Sequence, residues 1–515
     1  MGLKKLLFLK NAVILTGTAL LLRAVGMFFR VYIAGQVGDE GMGLYQLIFT
    51  LYNLAITLAT SGVTVATTRL AADWLARDRG APRTLCRRLI FYAFCLGGAA
   101  GLLQFFLARP ASTLWLGDAR AALSLRILAP SLPFMAVGAT LRGYFMARRN
   151  VSSSSRAQIF EQAVRIGVVA LLIGKALPYG IETACAAIVL GNTVSEALSC
   201  LYMVISWRRD LKRFAPGEKQ KPQHLLRDYG GIVAPITATR GIGSLLVTVE
   251  NVLVPGCLAT FLGARETALA QFGQLKGMAM PVLFFPFSFL STLSTLLLPE
   301  IAEAHSAGKK DRLQALICRT VLITVTLSVL MGGLFRAFAA ELGETLYHSS
   351  EIGFYIGVLG PVMPFMYLES MVDGILKGLG EQLSTFKYSV CDSVLRILLV
   401  LALVPRLGMQ GFLFVMLFSN IFTGFLNLHR LIRVTGVRVQ WMRWVVKPLF
   451  SVGAAWAAYY FAFAVWAAPL LPPLAAFLCG AALMALVYFL FLWLTGCVSP
   501  QDFSGMKKSP KSGKA

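Results

Sequence analysis

The chain has 515 residues, 57% of them hydrophobic and 14% charged, with a mean hydropathy of +0.70. That balance excludes an ordinary soluble globular protein and predicts an integral membrane protein. A formal charge of +24, from 48 Lys and Arg against 24 Asp and Glu, would suggest nucleic acid in a soluble chain, but here the cations follow membrane topology and no nucleic-acid partner is expected.

In chain order, apolar segments long enough for the ~30 Å hydrocarbon core occupy 11–34, 44–68, 89–108, 125–146, 157–177, 184–206, 229–261, 270–298, 314–335, 352–376, 385–405, 409–429, 445–467 and 474–496. The first begins like a signal peptide, but its apolar run continues past Arg23 to Ala34 without a cleavage site, so it is read as a membrane helix. The fold class expected is therefore all-α integral membrane with 14 transmembrane helices. Connections are short and leave no room for a soluble domain. The N-terminus, the even-numbered connections and the C-terminal tail hold 35 Lys and Arg, against 7 in the odd-numbered connections. By the positive-inside rule both termini are cytoplasmic and the chain is a multi-pass protein of the cell membrane.

Six cations remain inside the spans: Arg23, Arg30, Arg165, Arg240, Lys276 and Arg396. Six acids accompany them: Glu161, Glu196, Glu250, Glu369, Asp373 and Asp392. A charge at a helix centre costs at least ~2.5–3.5 kcal/mol on insertion scales, so such residues face a bundle interior or a wet cavity. Arg23 and Arg30 are seven residues apart, which places them on one helix face about 10 Å apart along the axis. Guanidinium forks on one face suit an anion such as phosphate; the alternative is that Arg30 snorkels to the interface while Arg23 pairs with an acid on another helix. Arg240 and Lys276 are further candidates for the same anion. Glu161 with Arg165 and Asp392 with Arg396 stand at i,i+4 with the acid first, the order that favours structural pairing. Asp392 is also a candidate for a coupling cation. Glu250, beside Asn251, is the better candidate for a proton or sodium site, unless it pairs with Arg240 or Lys276. Pro281 and Pro286 predict a kink in the eighth span.

The nine cysteines lie scattered in apolar runs with no CxxC, so neither a disulfide framework nor a zinc site is expected. No GxxxxGK[ST] loop, HExxH or nucleophile elbow is present, and an enzyme is not expected. Without an ATP site, Na⁺ or H⁺ coupling or the membrane potential would have to drive any transport.

Residues 133–166 and 364–397 align without a gap at an offset of 231. Both begin Pro-Phe-Met, Gly143 matches Gly374, and the two acid/arginine pairs coincide. A shift of six helices keeps the halves in one orientation, so they are related by an axis along the membrane normal. Two six-helix lobes are predicted, 1–215 and 216–436, followed by two extra helices within 437–500 and a basic cytoplasmic tail, 501–515. The basic stretch Trp207 to Gly230 is the natural linker.

The opening from Leu21 to Val63, with Arg-x-x-Gly at Arg23, Arg30, Gly-Leu-Tyr-Gln at 43–46 and Ser61-Gly62, resembles the stage V sporulation protein B and polysaccharide-exporter branch of the multidrug/oligosaccharidyl-lipid/polysaccharide superfamily. Residues Ser294 to Leu313 resemble the end of its eighth helix. The resemblance implies a V-shaped pair of lobes around a cationic cavity and a flippase for undecaprenyl-diphosphate-linked saccharides, of the lipid II or spore-cortex type. It further implies that Arg23 matches an essential first-helix arginine and that Lys276 stands near the place of a functional arginine early in helix eight. A monomer meeting membrane lipids, its lipid-linked saccharide and the cell-wall synthesis machinery is the expected setting. Two rivals are a multidrug exporter of the same superfamily and a non-transporting scaffold for wall synthesis.

Overall fold

The computed structural model describes residues 2–77, 82–212, 224–466, 470 and 472–497. The predicted tail 501–515 and the middle of the predicted linker, 213–223, lie outside the described residues. Those described are helical throughout, with no strand. The helices are α1 (Gly2–Thr60), α2 (Val63–Ala76), α3 (Arg83–Pro110), α4 (Ala121–Leu128), α5 (Ser131–Ala147), α6 (Val151–Ala176), α7 (Ile181–Leu211), α8 (Leu225–Leu262) and α9 (Arg265–Phe272). A π-helical stretch, Gly273–Ala279, leads into α10 (Met280–Phe284), α11 (Phe287–Ser306), α12 (Lys310–Ala337), α13 (Ala339–Tyr347) and α14 (Ser350–Leu359). The series ends with α15 (Met363–Gly378), α16 (Gln382–Thr435), α17 (Lys447–Ala458) and α18 (Pro473–Leu494).

Nine helices among the described residues are long and apolar enough to cross a membrane, or ten if the bent pair α4 and α5 forms one span. Two of the nine exceed any single crossing. Residues 17–76 and 382–435 run for 60 and 54 residues, about 90 and 80 Å of helix against a ~30 Å core. Each carries one residue off the helical path, Gly38 at φ 69° and Gly408 at φ 59°. Glycine is needed at both, because the left-handed region is closed to most side chains. Pro286 separates α10 from α11, so the helix is interrupted where a kink is expected.

The chain divides into two compact units, residues 1–278 with 393–412, and residues 279–392 with 413–515. In the first, Val63, Ala66, Leu85, Leu89, Ala136 and Tyr229 join α2, α3, α5 and α8 in one core. In the second, the buried Tyr367 and Tyr488 hydroxyls donate to the Leu283 and Thr326 carbonyls at 2.6 and 2.8 Å. Thr320 and Thr324 bury their hydroxyls by donating to carbonyls one turn back, 2.8 Å in each case. Lipid offers no hydrogen bonds, so polar groups must be satisfied inside the protein. Meanwhile Phe106 and Leu171 stand about three-quarters exposed, as apolar side chains facing lipid can.

Close helix packing rests on small residues, since van der Waals contact must replace the hydrophobic drive between helices in a bilayer. A Cβ at Gly101 would lie 2.7 Å from the Ala129 oxygen and 3.6 Å from Pro133 Cδ. At Gly332, 231 residues on, a Cβ would lie 2.7 Å from the Gly360 oxygen and 3.5 Å from Pro364 Cδ. The same glycine-to-carbonyl contact therefore occurs once in each unit, at the offset of the sequence repeat.

Candidate functional site

The first unit places an ion pair within its membrane helices. Glu250, on α8 and 2% exposed, meets Arg396 of α16: Nη1 lies 3.2 Å from Oε2 and 3.4 Å from Oε1. Its partner is thus Arg396, 146 positions away, and neither Arg240 nor Lys276. Lys276 occupies the middle of the π-helical stretch, with Nζ 5.4 Å from the centroid of Phe412, a cation–π distance. It lies within electrostatic range of both Glu250 and Arg396. A π-helical insertion re-aims side chains relative to an α-helix and recurs at functional sites. Here the sequence permits it by glycine: a Cβ at Gly273 would collide with the Asp39 carbonyl and with Gly43. Gln274 and Gln46 anchor the same stretch, donating to Asp39 Oδ2 at 2.7 Å and to the Lys276 carbonyl at 3.2 Å.

Of the other cations proposed for an anion, Arg23 and Arg240 are exposed and Arg30 is half-buried. Among the described residues, no acidic side chain lies within 4 Å of Arg30, Arg240 or Lys276. The structure brings Lys276 to the Glu250–Arg396 pair and does not join Arg240 to it.

A second polar group of the same unit surrounds Arg165, whose Nη2 lies 2.8 Å from Glu161 and 3.8 Å from Glu196. Asn192 donates to the Tyr52 hydroxyl at 3.2 Å, and that hydroxyl also meets Ser131. In the second unit the acids predominate. Asp392, 5% exposed, accepts from the Ser419 hydroxyl at 2.6 Å; Glu369 accepts from Asn427 at 3.3 Å; Asp373 meets Lys377 at 2.6 Å. Glu369 lies within electrostatic range of Asp373 and Asp392. No group of three or more His, Cys, Asp or Glu able to hold a metal occurs among the described residues.

The charged network missed by sequence reasoning lies between spans. Arg120 binds Glu40 at 2.7 Å and Asp118 at 2.8 Å. Burial pushes the Asp118 carboxyl up, but side-chain and backbone hydrogen bonds from Arg120 outweigh it and hold the group below its ordinary value. The only local signal is the Gly117-Asp118 turn, with φ 63° at the glycine.

Intramembrane charges in both units, helices broken by glycine, proline and π-helical turns, and multiple spans define a polytopic membrane protein with a transporter-type helical bundle. The fold matches a solved structure of the lipid II flippase MurJ in an inward closed conformation, with a TM-score of 0.70 over 94% of this chain and 98% of that one at 14% identity. It also matches an inward-facing multidrug resistance MATE transporter, with a TM-score of 0.65 over 81% and 95% at 14% identity. The chain belongs to the polysaccharide biosynthesis protein family, matched over residues 8–305, within the multidrug/oligosaccharidyl-lipid/polysaccharide superfamily; the MatE family matches residues 262–401. It is 29% identical to stage V sporulation protein B of Bacillus subtilis (strain 168) over 419 residues, 78% of this chain and 79% of the relative. Sporulation protein YkvU of the same organism is 21% identical over 411 residues, 78% and 90% of the two chains.

Proposed function

We propose that the chain is a flippase carrying undecaprenyl-diphosphate-linked saccharides, of the lipid II or spore-cortex precursor type, to the outer leaflet of the bacterial cell membrane by alternating access. The observation that carries this reading is that Arg30 and Arg240 in membrane helices, and Lys276 in the π-helical stretch after α9, have no acidic side chain within 4 Å among the described residues. A cation without a counter-charge is expensive in a membrane unless a ligand or water supplies one, and a diphosphate brings about two negative charges with several acceptor oxygens. Arg23 joins this set by its place on the face of Arg30. The family match to polysaccharide biosynthesis proteins and the likeness to a lipid II flippase support the substrate class.

On this reading the chain crosses the membrane fourteen times with both termini cytoplasmic, α1 and α16 each supplying more than one crossing. Two six-helix lobes, 1–215 and 216–436, follow the sequence repeat, and 437–500 adds two helices. The protein is a monomeric transporter, not an enzyme, that meets lipid-linked substrate and the wall-synthesis machinery. Of the two groups considered for Na⁺ or H⁺ coupling, Glu250 is engaged by Arg396, so the role is assigned to Asp392, with Glu369 in electrostatic range of it, while Glu161 with Arg165, and Glu250 with Arg396, serve structure.

The test is rescue of cells depleted of their lipid II flippase, comparing wild type, Arg30→Ala, Lys276→Ala and Lys276→Arg at matched membrane levels. A charged hydrogen bond to phosphate is worth about 1.5–3 kcal/mol, or roughly 10- to 100-fold in affinity. Rescue by wild type and Lys276→Arg, with loss in both alanine variants, is expected. Equal rescue by all four would refute the anion site. The MatE match over 262–401 favours a second reading, export of cationic drugs. That reading expects drug resistance in expressing cells and no rescue.

A further inference from the structure

Away from the intramembrane charges, the first unit carries an open polar cavity of about 350 Å³ where the α5–α6 turn meets the end of α7. Asn150, Ser152 and Ser153 line it from the start of α6, Arg156 from the next turn, and Ser206 and Arg209 from α7. α6 is 26 residues long and its N-cap, Asn150, makes no side-chain capping bond, so first-turn amides and the positive end of the helix dipole remain available. Asn150 is instead engaged by the Ser152 hydroxyl at 2.9 Å. Ser153 is 5% exposed and lines the cavity. Arg156 is steered along this turn by a 3.3 Å bond from Nε to the Ser152 carbonyl, which leaves its two terminal nitrogens to other acceptors. The one acid on the wall, Asp210, is held at its Oδ2, to which Tyr144 and Arg148 donate at 2.7 and 3.1 Å. Two arginines against one acid that is itself paired with Arg148 make the lining cationic on balance, and a helix terminus, serine hydroxyls and two guanidinium groups border it.

We propose that this cavity binds a phosphate group, either free or as the headgroup of an anionic phospholipid. Donors supplied by two helices suit a tetrahedral oxyanion with several acceptor oxygens, where a planar carboxylate would leave some of them unused. The site is separate from Arg30, Arg240 and Lys276 and does not rest on the transport reading.

The experiment is thermal unfolding of the purified full-length chain in a neutral detergent, titrated with inorganic phosphate, dihexanoyl phosphatidylglycerol and, as a zwitterionic control, dihexanoyl phosphatidylcholine. Wild type is compared with Arg156→Gln/Arg209→Gln, with Arg209→Gln alone, and with Arg87→Gln as an exposed cation outside the cavity. Saturable stabilisation of wild type and Arg87→Gln is expected, with half-saturation at least about tenfold weaker in the double variant and intermediate in the single one. Response to phosphate and phosphatidylglycerol alike marks a site for the free anion; response to phosphatidylglycerol alone marks a headgroup site. Phosphatidylcholine as effective as phosphatidylglycerol, an unshifted half-saturation in the arginine variants, or no saturable effect would each overturn the proposal. Both arginines are exposed, and if the double variant fails to fold, Arg209→Gln decides alone.

Discussion

Removing Arg396 tests whether the Glu250 pair is a true buried interaction or only a neighbourhood of charges. At 3.2 Å, two unit charges attract by about 5 kcal/mol at an effective dielectric of 20. The Arg396 side chain is 26% exposed, so water screens part of this; Glu250, at 3%, has no such relief. Arg396→Met leaves a buried carboxylate with the field of Lys276 to offset it, and should destabilise by about 3 kcal/mol. Glu250→Gln keeps an acceptor and leaves the partly hydrated cation, which should cost about 1 kcal/mol. The double variant removes both desolvation problems together and should cost only about 2 kcal/mol, for a coupling of about 2 kcal/mol. Denaturant unfolding in detergent micelles, applied to all four proteins of the cycle, reads this directly. If the single effects add to within about 0.5 kcal/mol, the pair is not an interaction unit and the placement of Arg396 on Glu250 is refuted.

Three further outcomes follow from local geometry. Gly408→Ala should destabilise more than Gly38→Ala: both have positive φ, worth about 1–2 kcal/mol for an L-residue, but a Cβ at Gly408 would also lie 2.6 Å from the Phe261 ring while Gly38 has open space around it. Equal melting shifts would remove the steric part of that explanation. Gly273→Val should prevent accumulation of folded protein, because its Cβ meets backbone of Asp39 and Gly43 that has no room to yield, and a wild-type elution profile in size-exclusion chromatography would contradict this. Glu381 lies between α15 and α16, where the Ser384 hydroxyl and then Arg430, at 2.8 Å, hold its carboxyl below the ordinary value. Its stabilisation is therefore full above the unfolded pKa of about 4.3 and is lost as pH falls through the lower folded value. Melting temperatures measured from pH 6 down to pH 3 should fall more steeply for wild type than for Glu381→Gln, and parallel slopes would exclude the effect.

Helix content and membrane class were legible because hydropathy is a local property summed over some twenty residues. The repeat was legible as well, and the structure gives it a physical basis in the matched contacts of Gly101 and Gly332, residues outside the stretch that aligns. What stayed hidden was pairing across distance. Nothing near Glu250 in sequence names Arg396, because the pair is made by helices 146 positions apart. Likewise the spacing of Gly273 and Lys276 does not announce a π-helical turn, since that turn depends on Gly43 and Asp39 arriving from another helix. Glu40 with Arg120 was hidden for the same reason, as two short connections separated by 80 positions.

Counting charges alone gave six cations against six acids and so could not favour either an anion or a cation as the ligand. The structure breaks that symmetry by unit. In the first, Glu250 is taken by Arg396 and Glu161 by Arg165, while Arg30, Arg240 and Lys276 have no acid within 4 Å among the described residues. In the second, the hydrogen-bond donors that meet Glu369 among the described residues are an amide and a hydroxyl, in electrostatic range of Asp373, Asp392 and Lys377. A dianionic substrate and a coupling cation would then draw on different parts of the chain, the cations of one unit and the carboxylates of the other. Neutralising Glu369 should accordingly change the dependence of transport on the ion gradient while leaving affinity for substrate intact, whereas neutralising Lys276 should do the reverse. Measured in proteoliposomes under imposed Na⁺ and H⁺ gradients, a single variant that abolished both would place the two ligands in one site and undo this division.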